Sequence, residues 1–125
     1  PTKVVATLAA ARSRYPQQRI WAVYQPHTYS RTKQLLQATA ASFADADQVL
    51  VTDIYAARER NDGSVHATDV IAASDHPHMQ YTGELAATAA YLAEQVQSGD
   101  VVIVLGAGDS YKIGDMLLAK LRGQG

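Results

Sequence analysis

Five apolar, β-prone residues in a row, Val101-Val102-Ile103-Val104-Leu105, run directly into Gly106-Ala107-Gly108-Asp109. A helical pattern follows, with Ile113, Met116, Leu117 and Leu121 on its inner side. A strand without polar alternation suits a parallel sheet covered on both faces, and parallel strands are joined by crossover helices rather than by tight turns. This one segment therefore points to an α/β domain whose other strands should also alternate with helices.

The rest of the chain follows that pattern. Arg19 to Tyr24, after a Pro16-Gln17-Gln18 turn, reads as a buried strand, and Gln48 to Thr52 as a second. Val4, Leu8, Ala11 and Tyr15 fall at helical spacing near the start. Leu36, Ala40 and Phe43 mark one face of a helix ending near Ala44. Leu85, Ala89, Leu92 and Val96 mark a helix over Glu84 to Gln97, stopped by Ser98-Gly99-Asp100. Ala67 to Ser74 reads as a short helix and His78 to Thr82 as a short strand. Asp53 to Ser64 is a charged loop with a turn at Asn61-Asp62-Gly63, and Arg122 to Gly125 is expected to fray. Strands and helices alternating through short loops imply right-handed crossovers, and 22 alanines let helices lie close to a sheet. The predicted architecture is a Rossmann-like three-layer domain over residues 1–125, with a mainly parallel sheet and helices on both faces.

Composition narrows the function. A chain of 125 residues with 47% hydrophobic residues supports a single core. A formal net charge of -1 provides no basic field for a phosphate backbone, so nucleic acid is not an expected partner. No apolar run approaches the ~20 residues of a membrane span. Without cysteine there is no disulfide, thiolate metal site or cysteine nucleophile. The chain begins at Pro1 without methionine, and Lys3 followed by Val4 to Ala11 makes a poor secretory signal because Thr7 interrupts it and only one charge precedes it. The start is read as a cut point within a longer protein.

Ligands of open parallel sheets bind beyond the carboxyl ends of the strands. Three loops meet there: Gln25-Pro26-His27-Thr28-Tyr29-Ser30-Arg31-Thr32, Asp53-Ile54-Tyr55-Ala56-Ala57-Arg58-Glu59, and Gly106-Ala107-Gly108-Asp109-Ser110. With Ser30 as the N-cap, Arg31 and Lys33 enter the first turn of a helix, where its dipole opposes positive charge. A carboxylate or phosphate held by free amides, the Arg31 fork and His27 would relieve the conflict. The plainer alternative leaves both cations solvated and His27 capping a loop. The Gly106-x-Gly108 loop lacks the third glycine of a dinucleotide fingerprint, which would fall at Tyr111, and no G-x-x-x-x-G-K-[ST] run occurs. Asp109 reads as an N-cap or a ligand contact. Tyr55, Arg58 and Glu59 form a polar cluster after a strand that could touch a ligand or be a self-satisfied ion-paired loop, and the second reading is favoured. His66, His76 and His78 suggest a metal only weakly, because Pro77 favours a turn and no third ligand stands at proper spacing.

These three loops, at their relative spacings, resemble the carboxyl-terminal domain of the amino-acid-adding Mur ligases of bacterial peptidoglycan synthesis, specifically the UDP-N-acetylmuramate:L-alanine ligases. The likeness covers essentially the whole chain, with Pro1-Thr2 looking like the end of the family's His-His-Pro-Thr stretch. It implies a cytoplasmic parent enzyme of cell-wall biogenesis whose missing N-terminal and central domains bind the UDP-sugar and carry the P-loop for ATP and Mg2+. This domain then closes the site and helps bind the amino acid. It also implies a reaction through an acyl phosphate, no bound cofactor or metal on this domain alone, and no ligase activity for the isolated domain. His27 and Arg31 match the family's alanine contacts, with Arg31 the partner of the carboxylate. Thr28 stands where many members have Arg, so one expected cation is missing, and Gly108, Asp109 and Ser110 border the site. The competing reading is a free-standing Rossmann-like module that binds a nucleotide or serves as an interaction domain.

Overall fold

The structure is a computed structural model that describes residues 1–106 and 108–123. Helix α1 (Thr2–Arg14) leads to strand β1 (Ile20–Tyr24), and two short helices follow, α2 (Tyr29–Gln34) and α3 (Leu36–Ala40). Strand β2 (Gln48–Thr52), helix α4 (Thr68–Ala73), strand β3 (Met79–Gly83), helix α5 (Leu85–Gln95), strand β4 (Val101–Leu105) and helix α6 (Tyr111–Leu121) complete the order. The sheet has four strands in the order β3-β2-β1-β4, every pair parallel.

Alternation along the strands divides the core into two layers. Ile20, Ala22, Val49 and Val51 face Val4, Leu8 and Ala11 of α1, together with Phe43, Ala46 and Ala67. Trp21, Val23 and Leu50 face Ala89 and Leu92 of α5 and Ile113 and Leu117 of α6. Of the stripes that the sequence marks, α1 buries Val4, Leu8 and Ala11, α5 buries Ala89 and Leu92, and α6 buries Ile113 and Leu117, whereas Leu121, expected on the inner side, is exposed. The short helix and short strand expected over 67–74 and 78–82 are α4 and β3, their bounds shifted by a residue or so.

Two expectations change. The helix expected to run to Ala44 divides at Leu35 into α2 and α3, and Phe43 is buried from a turn beyond α3 rather than from a helical face. The strand with the most apolar sequence is also not the most buried. β4 lies at the sheet edge, paired only with β1, and all five of its residues are half-buried. The helix outside it leaves Tyr111, Leu118 and Leu121 exposed. The expected fraying of Arg122 to Gly125 falls partly at Gln124 and Gly125, which lie outside the described residues.

The amino ends of β1 and β4 are fastened by one carboxylate. Asp100 Oδ2 accepts from Arg19 Nε at 3.1 Å and Nη2 at 2.8 Å, from Trp21 Nε1 at 2.9 Å and from the Gln97 amide at 3.0 Å. The Arg19 guanidinium also lies 4.9 Å from the centre of the Trp21 ring. Burial pushes the Asp100 carboxyl up, but the bonds from Arg19, Gln97 and Trp21 outweigh it and hold the pKa below the ordinary carboxylate value. Because the folded pKa is depressed, this stability is complete above the unfolded value of about 4 and is lost as pH falls through the folded one. Asp100→Ala is expected to cost about 2 kcal/mol in urea denaturation at pH 7, since a half-buried guanidinium loses its partner. The difference from the parent chain should shrink on acidification below about pH 4; a difference that is constant with pH would contradict the account.

Candidate functional site

Parallel register brings the carboxyl ends of the strands level, Tyr24 standing opposite Val51 on one side and Leu105 on the other. The loops that leave these ends are bonded to one another. Beyond the strands, His27 and Tyr55 form an isolated parallel bridge. The Tyr55 amide donates to the Pro26 carbonyl at 2.8 Å and the Thr28 amide to the Tyr55 carbonyl at 2.7 Å. The rings of His27 and Tyr55 stack at 5.6 Å with planes 17° apart. A Cβ at Gly108 would sit 2.4 Å from Tyr55 Cγ, so the glycine is what lets the third loop close on this ring. At Gly106, with φ +144°, a Cβ would meet the Gln25 carbonyl oxygen at 3.0 Å, and Gln25 Nε2 donates to Asp109 Oδ1 at 2.7 Å.

A cavity of about 530 Å³ opens between these loops and α1. His27 and Arg31 both line it, with Tyr24, Gln25 and Leu35 from their side, Lys3 from α1 and Leu105 from β4. Among the described residues Arg31 has no carboxylate within ion-pair distance. Burial raises the Tyr24 phenol above its ordinary pKa, which keeps it a neutral hydroxyl in this wall. Gln25 is buried, and while its amide nitrogen is held by Asp109 its Oε1 has no partner among the described residues. Thr28, Gly108, Asp109 and Ser110 stand beside the cavity without lining it: Gly108 supports Tyr55 behind His27, and Asp109 holds Gln25.

Three sequence expectations are corrected here. The N-cap of α2 is Thr28, whose Oγ1 accepts from the Arg31 amide at 3.3 Å, and not Ser30. Because α2 is only six residues long, Arg31, its third residue, belongs to the first turn and the last alike, whereas Lys33 falls in the last turn, where the dipole favours positive charge, so the expected conflict does not arise for Lys33. The amides expected to be free for a ligand are taken by the chain itself. Glu59 Oε1 accepts from the Tyr29 amide at 2.7 Å and the Ser30 amide at 3.0 Å, and Glu59 Oε2 accepts from the Ser30 hydroxyl. The Ser30 hydroxyl and amide, and then the Tyr29 amide, hold the Glu59 carboxyl below its ordinary pKa.

Asp109 is likewise not a cap. Ser110 precedes α6 without a side-chain cap, and Asp109 instead holds Gln25 and faces Lys112 at 3.8 Å. His76 is structural: its Nδ1 accepts from the His78 amide at 3.0 Å, which leaves Nε2 to donate to the Ala46 carbonyl at 2.7 Å. Among the described residues no three His, Asp or Glu side chains are grouped to hold a metal, and no helix is long and apolar enough to cross a membrane. Ala107, quoted in the glycine loop, lies outside the described residues.

The sequence gives Gln25 no separate role and favours an ion-paired loop for Tyr55, Arg58 and Glu59, whereas Glu59 bonds the start of α2 and makes no ion pair among the described residues. A signal for the Glu59 contact was present: the opening turn of α2 has no acidic residue of its own, and so its amides call for an acceptor from elsewhere in the chain.

Helices packed on a four-stranded parallel sheet, with a cationic, partly apolar cavity at the carboxyl ends of the strands, make this a Rossmann-like α/β domain. The chain belongs to the Mur ligase, glutamate ligase domain family, whose sequence model matches residues 1–108. It is 47% identical over 122 residues to a UDP-N-acetylmuramate–L-alanine ligase of Alkaliphilus metalliredigens, covering 96% of this chain and 26% of that protein. It is 44% identical over 122 residues to the enzyme of the same name from Acetivibrio thermocellus, covering 94% of this chain and 25% of that protein. The chain therefore spans about a quarter of the length of these relatives. Its fold matches that of a murein peptide ligase from Psychrobacter arcticus with a TM-score of 0.76 at 21% identity, over 97% of this chain and 25% of that one.

Gly108→Ala is expected to displace the Tyr55 ring and unstack His27, at a cost of about 1 to 3 kcal/mol for the overpacking. Thermal denaturation and the shifts of the His27 ring protons report both effects, and adding Tyr55→Ala should recover the stability lost at Gly108. A Gly108→Ala chain with parental melting and parental His27 shifts would show that the contact does not matter.

Proposed function

We propose that this chain is the carboxyl-terminal domain of an ATP-dependent ligase that joins L-alanine to UDP-N-acetylmuramate in the making of peptidoglycan precursors. In that role it holds the amino acid and closes the active site. The observation that carries the reading is the pairing of His27 with an ion-pair-free Arg31 on one cavity wall, in a chain whose relatives bear the name of that ligase. Arg31 presents a planar fork that matches a carboxylate. Pairing with the alanine carboxylate leaves the amine as the free, reactive end, with His27 beside it. Thr28, Gly108, Asp109 and Ser110 border the site, and Thr28 adds no cation there.

The other substrates belong to parts of the enzyme outside this chain. ATP and Mg2+ are assigned to a domain with a phosphate-binding loop, since no G-x-x-x-x-G-K-[ST] run occurs in this sequence, and UDP-N-acetylmuramate to a further domain. The amine of the held alanine attacks the muramoyl carbonyl of an acyl phosphate formed there; the tetrahedral adduct expels phosphate, the amine loses a proton, and an amide remains.

In the complete ligase, Arg31→Ala is expected to raise KM for L-alanine by one to two orders of magnitude, about 1.5 to 3 kcal/mol for a charge-assisted pair. Unchanged alanine kinetics would remove Arg31 from the site. The 125-residue chain alone, given ATP, UDP-N-acetylmuramate and L-alanine, is expected to release no ADP above a blank, and release of ADP would refute the division of labour.

A further inference from the structure

His27 and Arg31 sit on a loop and a six-residue helix to which another loop is bonded. Thr28, between the two side chains, has φ 60° and ψ 150°, a conformation that a β-branched residue rarely adopts. Ala57 in the facing loop also has positive φ, at 55°. Such backbone persists only where its surroundings over-determine it. Thr28 is held from its own helix, its carbonyl accepting from the Thr32 amide at 3.1 Å and the Thr32 hydroxyl at 2.7 Å, and from the facing run of chain, Asp53 to Glu59. Tyr55 fixes Pro26 and Thr28 through two backbone bonds and stacks on His27, while Glu59 takes the Tyr29 and Ser30 amides and the Ser30 hydroxyl.

Glu59 has a second consequence. Its oxygens lie on the start of α2 and not on Arg31, which keeps the guanidinium without a partner among the described residues. An arriving carboxylate cannot take the Tyr29 or Ser30 amide, because each already donates, and is directed to the Arg31 fork. We propose that Glu59 is a positioning residue of the amino-acid site: it fixes the turn that carries Arg31 and occupies the competing donors with a carboxylate of its own. The inference rests on the reading of Arg31 as the carboxylate partner of the amino acid.

The test is made in the complete ligase that carries this domain. Glu59→Ala is expected to raise KM for L-alanine about tenfold while kcat and KM for ATP stay within about twofold, the pattern of weakened binding without damage to the chemistry. Glu59→Gln keeps an oxygen that accepts from the amides and is expected to recover alanine KM to within about threefold of the parent. In the 125-residue chain, amide exchange at Tyr29 and Ser30 should quicken in Glu59→Ala and much less in Glu59→Gln. Quickened exchange with an unchanged alanine KM would overturn the proposal. So would an equal loss for alanine and ATP that Glu59→Gln fails to recover, since that would make Glu59 a general support of the fold. Arg31→Ala, assayed beside them, separates the two failures. If it raises alanine KM and Glu59→Ala does not, the inference alone falls. If Arg31→Ala leaves alanine KM unchanged, the reading of the site falls and takes the inference with it.

Discussion

The site depends on how β1 is placed in the sheet. Paired in parallel with β2 on one side and β4 on the other, it fixes where both end, and Tyr24, Val51 and Leu105 finish in register. Loops that start level in a parallel sheet can exchange backbone bonds in the same sense as the strands, and the bridge of His27 to Tyr55 continues the β1 to β2 pairing beyond the sheet. From that bridge follow the ring stack, the close approach of Gly108, and the side on which His27 and Arg31 face the cavity. At the opposite end of β1, Asp100 ties the entry of β4 to Arg19 and Trp21, so the strand is held at both ends.

Much of this was legible in the residues because it rests on local pattern. The stripes of α1, α5 and α6 and the apolar strands state their periods openly, and the buried faces follow them except at the end of α6, where Leu121 is exposed. The three loops could be assigned to one edge because parallel strands put all their carboxyl ends there. What the residues did not disclose depends on contacts distant in sequence. The edge position of β4 is a matter of strand order, and five apolar residues read the same in the middle of a sheet or at its margin. Thr28 as the cap of α2 requires a positive φ that a threonine gives no reason to expect. Glu59 reaches the start of α2 from 29 and 30 residues away.

The expectation of an anion at that helix rested on Arg31 and Lys33 in its first turn, and the carboxylate that stands there is Glu59 of the chain itself. A run of amides without an acidic neighbour is a deficit that either a ligand or the chain can fill, and sequence alone does not distinguish them. The distinction matters chemically. A site made from helix amides would grip any small anion, whereas a site reduced to a guanidinium fork beside an imidazole asks for the flat, two-oxygen geometry of a carboxylate.

The half-covered edge at β4 gives the molecule one adhesive margin. Its outer backbone groups have no partner strand in the sheet, its side chains are apolar, and Leu118 and Leu121 extend the same character onto α6. No lysine, proline or bulge within Val101–Leu105 blunts it, which is how edge strands are commonly kept from pairing with strangers. Concentrated solutions of this chain should therefore be governed by what that margin meets first, and added charge there would act on solubility without touching His27 or Arg31.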